Sequence, residues 1–141
     1  MKGGKYLEYN TIMTPQDIEQ FIERVNWLHD GYLISLSYRN KGIETLPCEY
    51  LFDRTRTCLT MRILVTSIWD QVVELVFEDI LEWNIKEDQS DILETSVFFH
   101  EGYLVWVDAE ADTYVQCAGC SYVVARIMKW RIEEKDDENS T

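Results

Sequence analysis

The chain has 141 residues, of which 46% are hydrophobic and 13% aromatic, a composition that excludes a disordered chain and predicts a packed core. Its formal net charge of -13 comes from 26 acidic and 13 basic residues, which argues against a surface for nucleic-acid phosphates. No apolar run is long enough to cross a membrane and none follows Met1 as a signal peptide would, so we expect a cytoplasmic protein.

The first predicted element is a helix that begins after Thr14. Thr14 can accept hydrogen bonds from free backbone amides, Pro15 suits the first helical position, and Asp17 complements the helix dipole. Apolar residues then recur at helical spacing and define one buried face, namely Ile18, Phe21, Ile22, Val25 and Leu28. Gly31 ends the helix or the turn that follows it.

Beyond Gly31 apolar and polar residues mostly alternate with period two, which is typical of strands. The alternation breaks at Asp79, so we predict a bulge at Glu78-Asp79-Ile80 within one long strand. The last segment also fits a helical stripe, but Tyr122 and its β-branched residues favour a strand. The predicted strands are 32–39, 59–66, 73–85, 92–99, 103–108 and 122–132.

One early helix followed by six or more strands predicts an α+β fold, in which the N-terminal helix packs on a curled and mainly antiparallel sheet. We expect residues 1–132 to form a single globular domain. Residues 133–141, with five acids and one base, are expected to form an acidic disordered tail.

Charge is distributed unevenly along the chain. Residues 69–112 hold 13 acids and one base, a net -12, whereas residues 113–132 hold three bases and no acid. An acidic surface built by the first block would attract a basic protein. The alternative is a solvated acidic surface that maintains solubility.

A His-acid-Gly-Tyr-Leu pattern occurs twice, 71 residues apart, at His29-Asp30 and at His100-Glu101. If the fold brought the copies together, two imidazoles and two carboxylates could bind a metal or act as an acid and a base. The alternative is that each pair satisfies backbone groups at the entry to a strand, where the glycine provides the turn.

The four cysteines allow two further interpretations. Cys117 and Cys120 have the Cys-x-x-Cys spacing of zinc knuckles and redox loops, and Cys48 and Cys58 could complete four thiolates. Nine residues lie between Cys48 and Cys58, whereas the two cysteines of a second zinc knuckle would have two residues between them. Four free, partly buried thiols are the other interpretation.

Several side chains are candidates for a partner-binding surface. Trp106 falls on the face of its strand opposite Val105, and an exposed tryptophan beside acidic strands would anchor a partner. The acidic candidates are Glu78, Asp79, Glu82 and Glu94. No phosphate loop, nucleophile elbow or His-Glu-x-x-His motif is present, and we expect neither a catalytic site nor a cofactor.

A family resemblance adds to this interpretation. The helix, the Leu28-His29-Asp30 turn, and the segment Phe77-Glu78-Asp79-Ile80 followed by Glu82-Trp83 resemble small bacterial immunity proteins and uncharacterised proteins of that type. The similarity is one of pattern over residues 14–86 and includes no catalytic signature. It implies a cytosolic protein that neutralises a toxin by binding it.

Two functions from different classes follow. The first is a non-enzymatic binding protein that neutralises a basic toxin through an acidic and aromatic sheet face. The second is a metal-dependent enzyme or zinc-stabilised domain that uses the two His-acid turns or the cysteines. A homodimer formed through a sheet edge or the Trp106 face is a third hypothesis.

Overall fold

The computed structural model describes residues 8–41, 53–86, 91–92 and 94–133. Cys48 and the tail 134–141 lie outside these residues. The described chain contains one α-helix, α1 (Pro15–Val25), and eight strands. The strands are β1 (Asn10–Thr11), β2 (Gly31–Asn40), β3 (Thr57–Val65), β4 (Gln71–Asn84), β5 (Asp91–Ile92), β6 (Ser96–His100), β7 (Tyr103–Val107) and β8 (Tyr122–Ile132).

Helix α1 begins where the sequence predicts. The Thr14 hydroxyl accepts from the Asp17 N–H at 3.1 Å, and the Asp17 carboxylate accepts from the Thr14 N–H at 3.0 Å. This reciprocal pair satisfies amides that have no partner within the helix. Phe21 and Val25 are buried, and the Phe21 ring lies 5.3 Å from the Trp130 ring of β8. None of the described helices is long and apolar enough to cross a membrane.

The strands form one antiparallel sheet in the order β5-β2-β3-β4-β8-β7-β6, with β1 added to β8. It curls into a half-barrel whose inner face packs on α1, which confirms the predicted α+β fold. In β3 every second residue is buried on this inner face, from Thr57 to Val65. The main core therefore lies between the sheet and α1.

Strand β4 contains the predicted bulge. Asp79 has a φ of 56°, and the register with β8 shifts between Ile80 and Glu82. The shift lets Trp83 continue on the inner face opposite Val123. Segment 122–132 is a strand, as its β-branched residues indicate.

Two boundaries and one strand register differ from the prediction. Residues 92–99 do not form one strand, because β5 pairs with β2 whereas β6 pairs with β7. Strand β2 has a bulge at Ile34, so Tyr32 and Leu36 do not share a face. Glu133, placed in the tail by its composition, donates its N–H to the Val72 carbonyl and binds Arg62 through both carboxylate oxygens.

Candidate functional site

The two His-acid turns lie at opposite ends of the sheet. Gly31, next to the first turn, pairs with Val65, which in turn pairs with Gln71 of β4. Leu104, near His100, pairs with Ala125, which in turn pairs with Ile80 of β4. Gln71 and Ile80 are nine residues apart, which corresponds to about 30 Å along the strand. The predicted cluster of His29, Asp30, His100 and Glu101 is therefore wrong.

Each histidine instead lies near its own acid. The His29 Nε2 atom is 3.7 Å from the Asp30 carboxylate, and the His100 Nε2 atom is 3.8 Å from the Glu101 carboxylate. Because each pair belongs to a separate turn, the arrangement matches the structural alternative of two similar strand entries.

The described cysteines are free thiols. Cys117 is buried, and that burial raises the pKa of its thiol, so the reactive thiolate is disfavoured. Cys58 and Cys120 are half-buried. Within residues 8–41, 53–86, 91–92 and 94–133, no three His, Cys, Asp or Glu side chains are grouped closely enough to hold a metal ion.

Trp106 is not a surface anchor, because only 1% of it is exposed. Its ring faces the main core and lies 6.4 Å from the Phe77 ring. The opposite face of β7 is buried too, since Val105 and Val107 pack against Cys117 and neighbouring residues of the 109–124 stretch. The segment after β7 thus covers the outer face, and the predicted alternation between core and solvent fails there.

The acidic candidates on β4 are neutralised within the protein. Glu78 lies 3.4 Å from the Lys129 Nζ atom, and Asp79 binds both Arg54 at 3.2 Å and Arg126 at 3.4 Å. The acidic and basic blocks of the sequence therefore meet across the β4–β8 pairing. These carboxylates cannot supply the free negative surface we predicted. Glu94 remains exposed on the surface.

Glu82 belongs to an aromatic cluster that the sequence did not indicate. Its carboxylate accepts hydrogen bonds from the Tyr114 hydroxyl at 2.5 Å and from the Tyr122 hydroxyl. The His100 ring stacks on Tyr114 with ring centres 5.2 Å apart. The bonds to Glu82 raise the pKa of both phenols, which keeps the phenols protonated. The cluster therefore stabilises the structure and is unsuited to proton transfer at neutral pH.

A different surface presents exposed aromatic side chains, and we call it the tryptophan end. It consists of residues 26–30, which connect α1 to β2, and residues 66–70, which connect β3 to β4. Ser67 joins the two loops, because its hydroxyl donates to the His29 carbonyl at 2.6 Å and accepts from the Asn26 amide at 3.0 Å. Thr66 adds bonds from its N–H and hydroxyl to the Asp30 carbonyl. The loops are thereby held as one unit.

The backbone of the tryptophan end is strained. Eight described residues other than glycine have positive φ, and six of them lie here: Asn26, Trp27, Leu28, Asp30, Trp69 and Asp70. Asparagine and aspartate adopt this left-handed region readily, whereas other side chains cost about 1–2 kcal/mol each, so the strain lies at Trp27, Leu28 and Trp69. Such strain persists only where the surroundings enforce it, and it is concentrated at functional sites.

Two tryptophans project from these loops. Trp27 is 52% exposed and Trp69 is 86% exposed, although apolar burial favours keeping indoles inside. The carboxylates of Asp30 and Asp70 lie beside them in the chain and are exposed. Leu28, by contrast, is fully buried and fixes the first loop to the core.

Trp27 also lines a groove along α1, which we call the α1 groove. It has a volume of about 420 Å³, and Ile18, Ile22 and Trp27 provide its apolar surface. Its polar rim consists of Glu19, Glu23 and Asn26. The groove and the tryptophan end therefore combine apolar contact area with carboxylates.

No family model, curated protein or solved structure matches the chain.

A larger cleft of about 680 Å³ lies between α1 and the end of β8. Its described charged residues have both signs, and Arg131 among them is already bound to Glu74 at 2.6 Å. The described lining contains no histidine, cysteine or tyrosine, and its described carboxylates are those of Glu8 and Glu23. The tryptophan end and the α1 groove are thus the stronger candidate for recognition.

Proposed function

We propose that the chain is a non-enzymatic cytoplasmic binding protein whose partner is a basic protein. The contact surface is the tryptophan end together with the α1 groove. In its narrower form, suggested by the resemblance of the Leu28-His29-Asp30 pattern to immunity proteins, the partner is a basic bacterial toxin. The observation that supports this proposal is the exposure of Trp27 and Trp69 on strained, mutually bonded loops.

The two indoles supply the binding energy in this proposal. Tryptophan is enriched among the residues that contribute most to protein interfaces, because a large apolar ring can be desolvated at low entropic cost. The loops that carry Trp27 and Trp69 are joined through Ser67, which limits the freedom lost on binding.

The sign of the local charge selects the partner. Glu19 and Glu23 line the groove, and Asp30 and Asp70 lie in the two loops that carry the indoles; all four residues are exposed. They favour a partner that presents lysine or arginine, whose guanidinium or ammonium group can also stack on an indole. This surface replaces the predicted face of Trp106, Glu78, Asp79 and Glu82, which is buried or internally paired.

The form of the metal-dependent alternative that uses the two His-acid turns has lost its geometric basis, because the turns lie about 30 Å apart along β4. The four-cysteine form needs Cys48, which lies outside the described residues, and it stays a hypothesis.

The test begins with the protein encoded beside this chain, purified and titrated by calorimetry. We expect binding that weakens as salt rises, because surface carboxylates contribute. Trp69→Gly should weaken the complex about 30-fold, which corresponds to roughly 2 kcal/mol at a central aromatic contact.

Val115→Ser is the matched control, because Val115 is 81% exposed on a different loop. It should leave the affinity unchanged. A complex that forms equally well with Trp69→Gly and Val115→Ser, or whose affinity does not respond to salt, would contradict the proposal. If the neighbouring product does not bind, cross-linking in host extract with wild type and Trp69→Gly side by side identifies the protein to titrate.

A further inference from the structure

Within the described residues, one edge of strand β2 is largely without a pairing strand. Its other edge pairs with β3 from Gly31 to Asn40. On the open side β5 pairs only with Gly31 and Tyr32. Within the part of the chain that the structure describes, no strand pairs with that side of residues 33–38. A strand edge of this kind leaves backbone N–H and C=O groups directed outward and available to another strand.

Apolar side chains accompany this open edge. Ile34 is 48% exposed, Leu36 36% and Tyr38 40%. Leu36 lies opposite Met61, and Tyr38 lies opposite Leu59, in the register with β3. Directly opposite residues of an antiparallel pair share a face. Because Met61 and Leu59 are fully buried, the apolar inner face of the sheet extends to this edge, where Leu36 and Tyr38 are partly exposed and the Tyr38 ring lies 5.6 Å from the Trp83 ring.

From Ser35 to Tyr38, between the bulge at Ile34 and the charged Arg39, the edge lacks the features that usually prevent strand addition. Proteins protect an exposed edge with charged side chains, proline, or a bulge that turns it away. Residues 33–38 contain no charged residue and no proline. The bulge at Ile34 lies next to the part that β5 already covers. Ser35 to Tyr38 then continue in regular register with β3.

We infer that the open edge of β2 binds the same edge of a second copy of this chain, antiparallel and across a two-fold axis. The two half-barrels then share one continuous sheet. A two-fold contact pairs a segment with itself, and this segment presents apolar side chains and serines to its own copy. Leu36 and Tyr38 become covered on both copies.

Charge identifies the occupant as a second copy and distinguishes this edge from the surface for a basic partner. Leu33 to Tyr38 carry no carboxylate, and Asp91 of β5 lies beyond this stretch, opposite Tyr32, so the unpaired part of the edge has no negative charge of its own to attract lysine or arginine. Two chains of net charge -13 repel each other, and an uncharged segment is where that repulsion is weakest. Self-association should therefore strengthen as salt rises, whereas binding of a basic partner should weaken.

Sedimentation equilibrium over a range of protein concentrations tests the inference. The mass should rise from 16.7 kDa toward twice that value, and the dimer dissociation constant should fall when salt is raised from about 0.05 M to about 0.5 M. Leu36→Lys should raise the dissociation constant at least about tenfold, because the charge would be buried between the edges. Ser37→Lys should also raise the dissociation constant, and it disturbs the core less because Ser37 is exposed.

Ile127→Lys is the control, since Ile127 is 39% exposed on the interior strand β8. It should leave the dimer intact. A wild-type chain that stays at 16.7 kDa at every concentration and salt, or a dimer weakened equally by Ile127→Lys, would overturn the inference. Trp69→Gly should not affect the dimer, and Leu36→Lys should not affect binding of the basic partner, so either proposal can fail without the other.

Discussion

The left-handed conformation of Trp69 yields a prediction that separates backbone strain from side-chain contacts. Two variants, Trp69→Ala and Trp69→Gly, remove the same indole, but only glycine adopts a φ of 67° without steric cost. We therefore expect Trp69→Gly to be more stable than Trp69→Ala, although glycine normally destabilises a folded chain relative to alanine.

The magnitudes follow from exposure and conformation. Trp69 is 86% exposed, so only about a seventh of its surface is buried. At about 25 cal/mol per Å² of apolar area, the loss of roughly 35 Å² costs about 1 kcal/mol in either variant. Relief of the left-handed conformation returns about 1–2 kcal/mol to the glycine variant alone, and the greater backbone entropy of unfolded glycine offsets about 0.5–1 kcal/mol of it. Trp69→Gly should thus be about 0.5–1 kcal/mol more stable than Trp69→Ala, which should itself be about 1 kcal/mol less stable than the wild type.

Urea denaturation measures both values, and the pair Ile127→Ala and Ile127→Gly supplies the control. Ile127 lies in β8 and is not among the residues with positive φ, so there alanine should be the more stable by about 0.5–1 kcal/mol. Equal stability of the two Trp69 variants, or an advantage for alanine, would refute the strain at the tryptophan end. Both variants should lose affinity for the basic partner to the same extent.

Three further predictions concern the fold. Gly31→Ala should lower the free energy of unfolding, measured with urea, by about 2 kcal/mol, because a Cβ atom would lie 2.7 Å from the Leu28 carbonyl oxygen and 2.9 Å from Ile63. An unchanged urea midpoint would contradict this close approach. Burial and the hydrogen bond to Glu74 raise the pKa of Tyr9 to about 12 from its ordinary 10. As the pH rises, Tyr9 therefore loses its proton in the unfolded state before it does in the folded state, and the free energy of unfolding should fall from about pH 10 upward. Tyr9→Phe should reduce that decline, and a decline of equal size in the variant would rule out Tyr9 as its source. Glu82→Gln should lower the free energy of unfolding by about 2 kcal/mol, because the hydroxyls of Tyr114 and Tyr122 lose a charged hydrogen-bond acceptor. Glu110→Gln, at an exposed position, should leave the free energy of unfolding unchanged. Equal effects of the two substitutions would show that the cluster around Glu82 adds no stability.

The sequence predicted those elements whose signals are local. The start of α1 depends on Thr14, Pro15 and Asp17, which are adjacent in the chain. The bulge of β4 was visible as a break in alternation at Asp79, and the β-branched residues of segment 122–132 identified β8 as a strand. In each case the information lies within a few neighbouring residues.

The positions of the candidate site residues depend on contacts between segments that are distant in the sequence, and the alternation of apolar and polar residues within one strand does not reveal such contacts. Trp106 is buried because the chain after β7 folds back over the outer face, and nothing in the sequence of β7 specifies that cover. Trp27 and Trp69 lie at the same end of the molecule through bonds between loops about 40 residues apart, such as the one from Asn26 to Ser67. His29 and His100 resemble each other locally, yet the register of β4 places them at opposite ends.

The pairing of β4 with β8 has a consequence for how the chain folds. Glu74 is 57 residues from Arg131, its partner across these strands, and Arg62 is 71 residues from Glu133. Strands β2, β3 and β4 can pair as soon as they are connected, but the carboxylates of β4 then repel one another until β8 arrives. Contacts so distant in sequence form slowly, because the intervening loop must close first. A chain truncated before Tyr122 would therefore leave Glu74 and Glu78 without Arg131 and Lys129 and would leave one edge of β4 open, so assembly of the half-barrel depends on its last strand.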